Sequence, residues 1–236
     1  MCVKDDKEME KRFRKNKFYK KVLIFAWHGF FLSLTMSMID FNTVFPSLIT
    51  ELTEVKVVFG LLYSIMLGAP LVFNIIFSHF MQYYPFKKKF LLIGIYVRSF
   101  SFLGMAVFTY IFGRSNPALV IFSFFFWVFL FSISGGFAGL AFTDIIGKLF
   151  RKEERGRVYA IKQFFSSLAA LFGGSIVARI FSIEEFPLNY TYSLIVGFIG
   201  LFIAALAFWL IKEPPSEIGD KKRESLRFFL KRFLLS

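Results

Sequence analysis

Residues 57–112 read VVFGLLYSIMLGAPLVFNIIFSHFMQYYPFKKKFLLIGIYVRSFSFLGMAVFTYIF, two long apolar runs joined by a turn that holds Pro85 and three consecutive lysines. As a helix rising ~1.5 Å per residue, each run crosses a hydrocarbon core ~30 Å thick with some tilt. The rest of the chain repeats the pattern. Apolar runs lie at 22–44, 57–80, 90–112, 118–142, 158–183 and 191–211 of a 236-residue chain that is 56% hydrophobic. So many apolar segments do not fit into one small soluble core. The expected fold is an all-α membrane protein with six transmembrane helices, flanked by a basic tail at 1–21 and a second tail at 212–236.

Charge sets the expected orientation. Of the 29 Lys and Arg residues, 24 fall in the two tails and in the turns after the second and fourth runs. The alternate turns hold only Lys56 and Arg114, and Arg98, Lys162 and Arg179 lie inside runs. Positively charged short loops stay cytoplasmic, so both termini are expected in the cytoplasm and the protein in the cell (plasma or inner) membrane. Tyr and Trp near the run ends, such as Tyr19, Trp27 and Trp209 on one side and Tyr110, Tyr190 and Tyr192 on the other, suit two interfacial belts. The formal charge of +13 therefore serves topology and anionic lipid head groups rather than nucleic acid. The first run is too long for a signal-peptide core and lacks a small-residue cleavage site, so it is expected to be retained. Cys2 is the single cysteine, which excludes an internal disulfide.

Beyond the runs, Pro46 and the Leu48–Lys56 segment make the first outer loop, and Glu213-Pro214-Pro215 breaks the chain after the last run. Leu226, Phe229, Leu230, Phe233 and Leu234 repeat at helical spacing opposite Arg227, Lys231 and Arg232. This predicts an amphipathic tail helix lying on the inner leaflet or docked under the bundle. The second and fifth runs carry stripes of small residues: Gly60, Ser64 and Gly68 in one, Ser166, Ala170, Gly174 and Ala178 in the other. Small residues four apart let helices approach closely, either within the six or toward another bundle. Equivalent stripes in the second helix of each triplet also fit a three-plus-three inverted repeat.

Specific sequence features then point to a family. Phe45-Pro46-Ser47 closes the first run shortly after Asp40, Gly60-Leu61-Leu62 opens the second, and Tyr84-Pro85-Phe86-Lys87-Lys88-Lys89 forms the basic turn. Asp144-Ile145-Ile146-Gly147-Lys148 is followed by Arg155-Gly156-Arg157, and Ile211-Lys212-Glu213-Pro214 follows the last run. With these, nearly the whole chain resembles the amino-terminal six-helix half of a major facilitator superfamily transporter. The resemblance implies a facilitator-type half bundle that works with a second six-helix bundle, from a separate chain or a homodimer, around a central cavity. It departs from the family in two places. The helix 2–3 signature Gly-x-x-x-Asp-Arg-x-Gly-Arg-Arg is reduced to its basic cluster, and the fifth run has Gly173-Gly174 where antiporters carry Gly-Pro.

Ionisable and polar groups at membrane depth are costly and mark sites. By the resemblance, helices 1 and 4 line the cavity, making His28, Asp40, Asn42 and Ser132 the candidate substrate-binding residues. Asp40 and Arg179 lie at matching depths and are expected either to pair or to be hydrated separately at the interface. Arg98, ~12 Å into the third run at ~1.5 Å per residue, either snorkels or meets Asp144. Lys162, one turn into the fifth run, is expected to snorkel. Asp144 with Arg155 and Arg157 resembles the cytoplasmic charge cluster that latches the two halves of facilitator proteins.

Catalysis is not expected. Gly173-Gly174-Ser175 has no histidine in a later run to act as base. Two histidines and one cysteine make no metal-ligand pattern, and there is no glycine-rich phosphate loop. Neither metal nor cofactor is expected. The reading is a half-length secondary transporter that moves a small solute by alternating access. The alternatives are a six-helix membrane scaffold or assembly protein, or a truncated and inactive transporter fragment.

Overall fold

The computed structural model describes residues 2–216 together with Ser225, Leu226 and Phe228, and describes only the backbone of residues 2–15. Of the amphipathic tail helix expected over Leu226–Leu234, all but Leu226 and Phe228 lies outside the described residues. The chain forms α1 (Cys2–Met38), α2 (Val44–Leu52), α3 (Lys56–Met81), α4 (Lys88–Phe112), α5 (Pro117–Leu149), α6 (Lys152–Ile183) and α7 (Leu188–Trp209). All but the short α2 contain a segment long and apolar enough to cross a membrane, that of α1 being Asn16–Met38.

The helix ends differ from the apolar runs for local reasons. α1 stops at Met38, inside the first run, because Asp40 draws the chain into a turn. Its carboxylate accepts hydrogen bonds from the Asn42 amide (3.0 Å) and the Thr43 hydroxyl (2.9 Å), and its carbonyl accepts one from the Phe45 amide at 2.9 Å. This side-chain mimicry of a backbone turn is what Asp does at helix ends. Pro46 and Leu48–Leu52, expected in the outer loop, instead belong to α2, which buries Phe45, Leu48, Ile49 and Leu52. Pro46 falls in its first turn, where a missing N–H costs nothing. α5 starts sharply, with the Asn116 side chain accepting from the Leu119 amide (3.1 Å) and Pro117 at the first position. It then runs on to Leu149, so Asp144 and Lys148 belong to the helix rather than to a loop.

The spanning helices pack in the order α3, α5, α4, α7, α1, α6, each mainly against its neighbours in that order. α5 and α6 barely touch, so the arrangement is a crescent whose horns are α3 and α6. The first spanning triplet is α1, α3, α4 and the second is α5, α6, α7. Exchanging the triplets turns the α1–α6 contact into α5–α3, and α4–α5 into α7–α1, while α4–α7 maps onto itself. Equivalent helices cross in opposite directions, because three spans separate them. The packing therefore carries the three-plus-three inverted repeat.

Lipid offers no hydrophobic drive between helices, so close packing holds them. Phe25, Phe45, Phe102, Phe124 and Phe208 are fully buried. At the two symmetry-related contacts glycine permits the approach: a Cβ on Gly94 would lie 2.8 Å from the Ala138 Cβ, and one on Gly200 2.4 Å from the Thr35 hydroxyl oxygen. The horns are different. Only 6% of the spanning window of α3 and 17% of that of α6 is buried, against 39–56% in the other four.

Candidate functional site

In the hollow of the crescent, α1, α4, α5 and α6 enclose a cavity of about 130 Å³ whose lining includes His28, Arg98, Gly135, Gly139, Phe142 and Lys162. Gly135 makes room for Arg98: a Cβ there would sit 3.3 Å from the guanidinium carbon. That carbon lies 4.4 Å above the Phe131 ring, and one terminal nitrogen is 3.9 Å from the Met36 sulfur. Nε of Arg98 has no partner. Lys162 reaches in from α6 across Gly29, placing its ammonium 5.6 Å from the Phe142 ring centre. No ion pair holds it among the described residues. His28 is 6% exposed, its ring packs on Phe142 and Phe208, and its Nδ1 has no hydrogen-bond partner.

Along α1, Lys162 lies beside Gly29 and Arg98 beside Met36, seven residues or about 10 Å further on. Each cation is ten residues from the first residue of its helix, Lys88 and Lys152, or about 15 Å at ~1.5 Å per residue. Lys162 is thus deeper in its helix than the apolar run suggested, because α6 begins six residues before that run. Ser132 lies one turn along α5 from Gly135 on the same face, buried and with its hydroxyl unpartnered.

Asp40 and Asn42 do not join this cavity. They meet each other in the turn after α1, roughly 18 Å from His28 along the helix axis. Asp40 does not pair with Arg179 either, since its carboxylate serves the turn while Arg179 is exposed on α6. Arg98 does not meet Asp144, which sits nine residues beyond Gly135, some ~13 Å further along α5. Asp144 pairs instead with Lys148, 2.7 Å away.

The end of the bundle that carries Lys87–Lys89 has its own network, centred on Glu213, which the sequence places in a helix break and in the family-like stretch after the last run. Glu213, its side chain 2% exposed, accepts from the Lys87 and Lys88 amides at 2.7 Å each and pairs with Lys148 at 2.6 Å. It neutralises the first turn of α4, where amide N–H groups lack helical partners. Lys148 also donates to the Pro85 carbonyl (3.0 Å), and Lys88 to the carbonyls of Trp209 and Ile211 (2.7 and 2.9 Å). Lys87 donates to the Met81 and Tyr84 carbonyls, and burial lowers its ammonium pKa from the ordinary 10.5. Arg155 caps the end of α5 through the Gly147 carbonyl at 2.8 Å, and Arg157 reaches the Tyr19 hydroxyl at 2.5 Å. The signal for Glu213 was an acid directly after the last span, opposite the basic turn.

The small-residue stripes divide. Ser166 is buried and donates to the Gly29 carbonyl at 2.9 Å, so it packs α6 on α1. Ala170, Gly174, Ala178, Gly60 and Ser64 are exposed, and Gly68 is half-buried; a Cβ on Gly60, Gly68 or Gly174 would meet nothing. Tyr190, placed by its sequence in an interfacial belt, instead packs inside with its hydroxyl 2.7 Å from that of Ser47.

Two triplets of spanning helices in inverted packing surround a polar cavity and leave two open horns. The chain belongs to the Major Facilitator Superfamily, whose model matches residues 26–235. Members of that family are transporters of small solutes. Among solved structures, the proton:xylose symporter XylE bound to 6-bromo-6-deoxy-D-glucose is similar, with a TM-score of 0.62 and 16% identity over 85% of this chain and 46% of that one. The chain therefore spans about half the length of that protein, and at this identity the likeness is one of fold. No curated protein matches the sequence.

Proposed function

We propose that this chain is one half of a secondary transporter that carries a small solute by alternating access, working against a second six-helix bundle. The observation that carries this reading is the unburied state of the horns. α3 and α6 bury 6% and 17% of their spanning windows and present Gly60, Gly68 and Gly174 with nothing against them. Small residues four apart suit a close helix partner, not lipid tails. A half bundle with a polar hollow between open horns has one wall of a substrate path, and a second bundle supplies the other. The solute contacts His28 and Ser132, with Arg98 and Lys162 facing the same hollow. Asp40 and Asn42 contribute at the mouth opposite the basic end. The basic end faces the cytoplasm of the plasma or inner membrane, as the distribution of cations directs.

Cysteine cross-linking and uptake test this together. In a Cys2→Ser background, Gly68→Cys or Gly174→Cys is expected to form a cross-link to a second bundle, either another copy or a separate chain, in native membranes. Vesicles containing both bundles are expected to show solute counterflow. A chain that remains uncrosslinked at both positions, in vesicles without counterflow, supports a scaffold instead. Impermeant maleimide is expected to label Cys2 only after the membrane is opened.

A further inference from the structure

The cavity collects positive charge that nothing in the described residues neutralises. Arg98 has a sulfur and an aromatic face as its contacts, with Nε unpartnered, and Lys162 has the Phe142 ring. No carboxylate lines the hollow. Among the described side chains, the acids of the adjoining helices, Asp144, Glu153 and Glu154, lie at the basic end, where Asp144 is engaged by Lys148 and Glu154 by the Arg151 amide. Some fifteen ångströms from the helix start is beyond the reach of an arginine side chain, so snorkelling does not relieve Arg98. Cations at such depth persist when something of opposite charge meets them. The third polar group is His28. Its ring lines the hollow, and with the proton on Nε2 the unpartnered Nδ1 is an acceptor for a donor on the ligand.

We propose that this hollow is an anion site, and that the transported solute is a small organic anion whose carboxylate or phosphate sits between Arg98 and Lys162. Arg98 presents the planar fork that suits a bidentate carboxylate or phosphate, and Lys162 adds a point charge. His28 accepts a hydroxyl or N–H beside the charged group. The volume of about 130 Å³ holds the charged head alone, and the rest of the solute extends toward the open side between α5 and α6. A neutral sugar would leave both cations unpaired. This assignment rests on the transporter reading above, to which it adds the class of solute.

The test uses the full chain in nanodiscs of zwitterionic lipid, at constant ionic strength set with chloride. Its thermal unfolding midpoint is followed with inorganic phosphate, lactate, propionate and xylose. Lactate or phosphate is expected to raise the midpoint in a saturable way by mass action, and propionate, which lacks the hydroxyl, to raise it less than lactate. Xylose is expected to leave it unchanged. Arg98→Gln and Lys162→Gln, each checked for helicity and monodispersity, are expected to weaken anion affinity about tenfold or more. His28→Ala is expected to erase the difference between lactate and propionate. The site is overturned if xylose stabilises as lactate does, if no anion stabilises the folded protein, or if either glutamine variant binds as wild type. Stabilisation confined to nanodiscs of anionic lipid would also overturn it, assigning the cations to a lipid phosphate. Anion binding without counterflow refutes the transporter reading and leaves the site standing. Counterflow of a neutral solute that survives Arg98→Gln does the reverse.

Discussion

Replacing Glu213 with glutamine keeps its shape and removes the charge around which the basic end is organised. The carboxylate receives two backbone amides at 2.7 Å and the Lys148 ammonium at 2.6 Å, with its side chain 2% exposed. A glutamine oxygen still accepts from one amide, but its NH₂ group then faces the other donor. Hydrogen bonds to a charged group contribute ~1.5–3 kcal/mol each, and breaking a buried pair costs ~3–5 kcal/mol. Lys148 is not orphaned, because Asp144 at 2.7 Å and the Pro85 carbonyl at 3.0 Å remain. The expected loss for Glu213→Gln is therefore ~2–4 kcal/mol, below that of a fully stranded ion. Asp144→Asn is the control. Its side chain is 38% exposed, and a solvated helical pair contributes under ~1 kcal/mol. Equilibrium unfolding in mixed detergent micelles measures both, and amide exchange at Lys87 and Lys88 is expected to speed up in Glu213→Gln alone. Equal losses in the two variants, or a loss under about 1 kcal/mol for Glu213→Gln, would refute the placement of Glu213 as hub.

Three further outcomes follow from other contacts. Arg98→Leu is expected to raise the stability of the ligand-free protein by ~1–3 kcal/mol, since an arginine at helix centre costs ~2.5–3.5 and its ring contact returns only ~0.5–2; a lower unfolding midpoint would mean that the guanidinium is already satisfied. The neighbouring glycines of α6 should part ways. A Cβ on Gly173 would lie 2.6 Å from the Ser37 Cβ and 3.2 Å from the Leu34 carbonyl, whereas one on Gly174 meets nothing. Gly173→Ala is thus expected to cost ~1–3 kcal/mol, and Gly174→Leu to leave unfolding unchanged while abolishing cross-linking to a second bundle. Lys87 supplies a pH dependence. Because burial lowers its pKa below 10.5, the unfolded chain holds this proton where the folded one has released it. Its contribution is complete above 10.5 and is lost as pH falls through the lower folded value. Lys87→Arg, which does not titrate there, should lack that rise in paired unfolding series.

Much of the site was legible one residue at a time. His28, Arg98 and Ser132 stand out in the sequence because a polar group inside an apolar run has few reasons to be there. Their partners were not legible. Depth alone allows Arg98 to meet Asp144 and Asp40 to meet Arg179, yet each acid is claimed by a closer neighbour. Asp144 pairs with Lys148 four residues on in the same helix, and Asp40 binds the amide two residues along. Local contacts of this kind need no tertiary arrangement to form, so they win over cations on other helices. Hydropathy marks where an apolar run begins, whereas α6 begins two turns earlier, where Glu154 caps the Arg151 amide.

The six spans, their alternation and the pile-up of cations at alternate turns are decided by sequence alone. Spanning is a local property, because a backbone in lipid must satisfy its hydrogen bonds within about twenty consecutive residues. The crescent order of helices, the open horns and the meeting of Arg98, Lys162 and His28 around one hollow belong to the tertiary structure. Those groups come from three different helices, and no periodicity within one helix says which face of another it will meet. That choice rests on close packing at contacts such as Gly94 on Ala138 and Gly200 on Thr35, since lipid favours no particular pairing by itself.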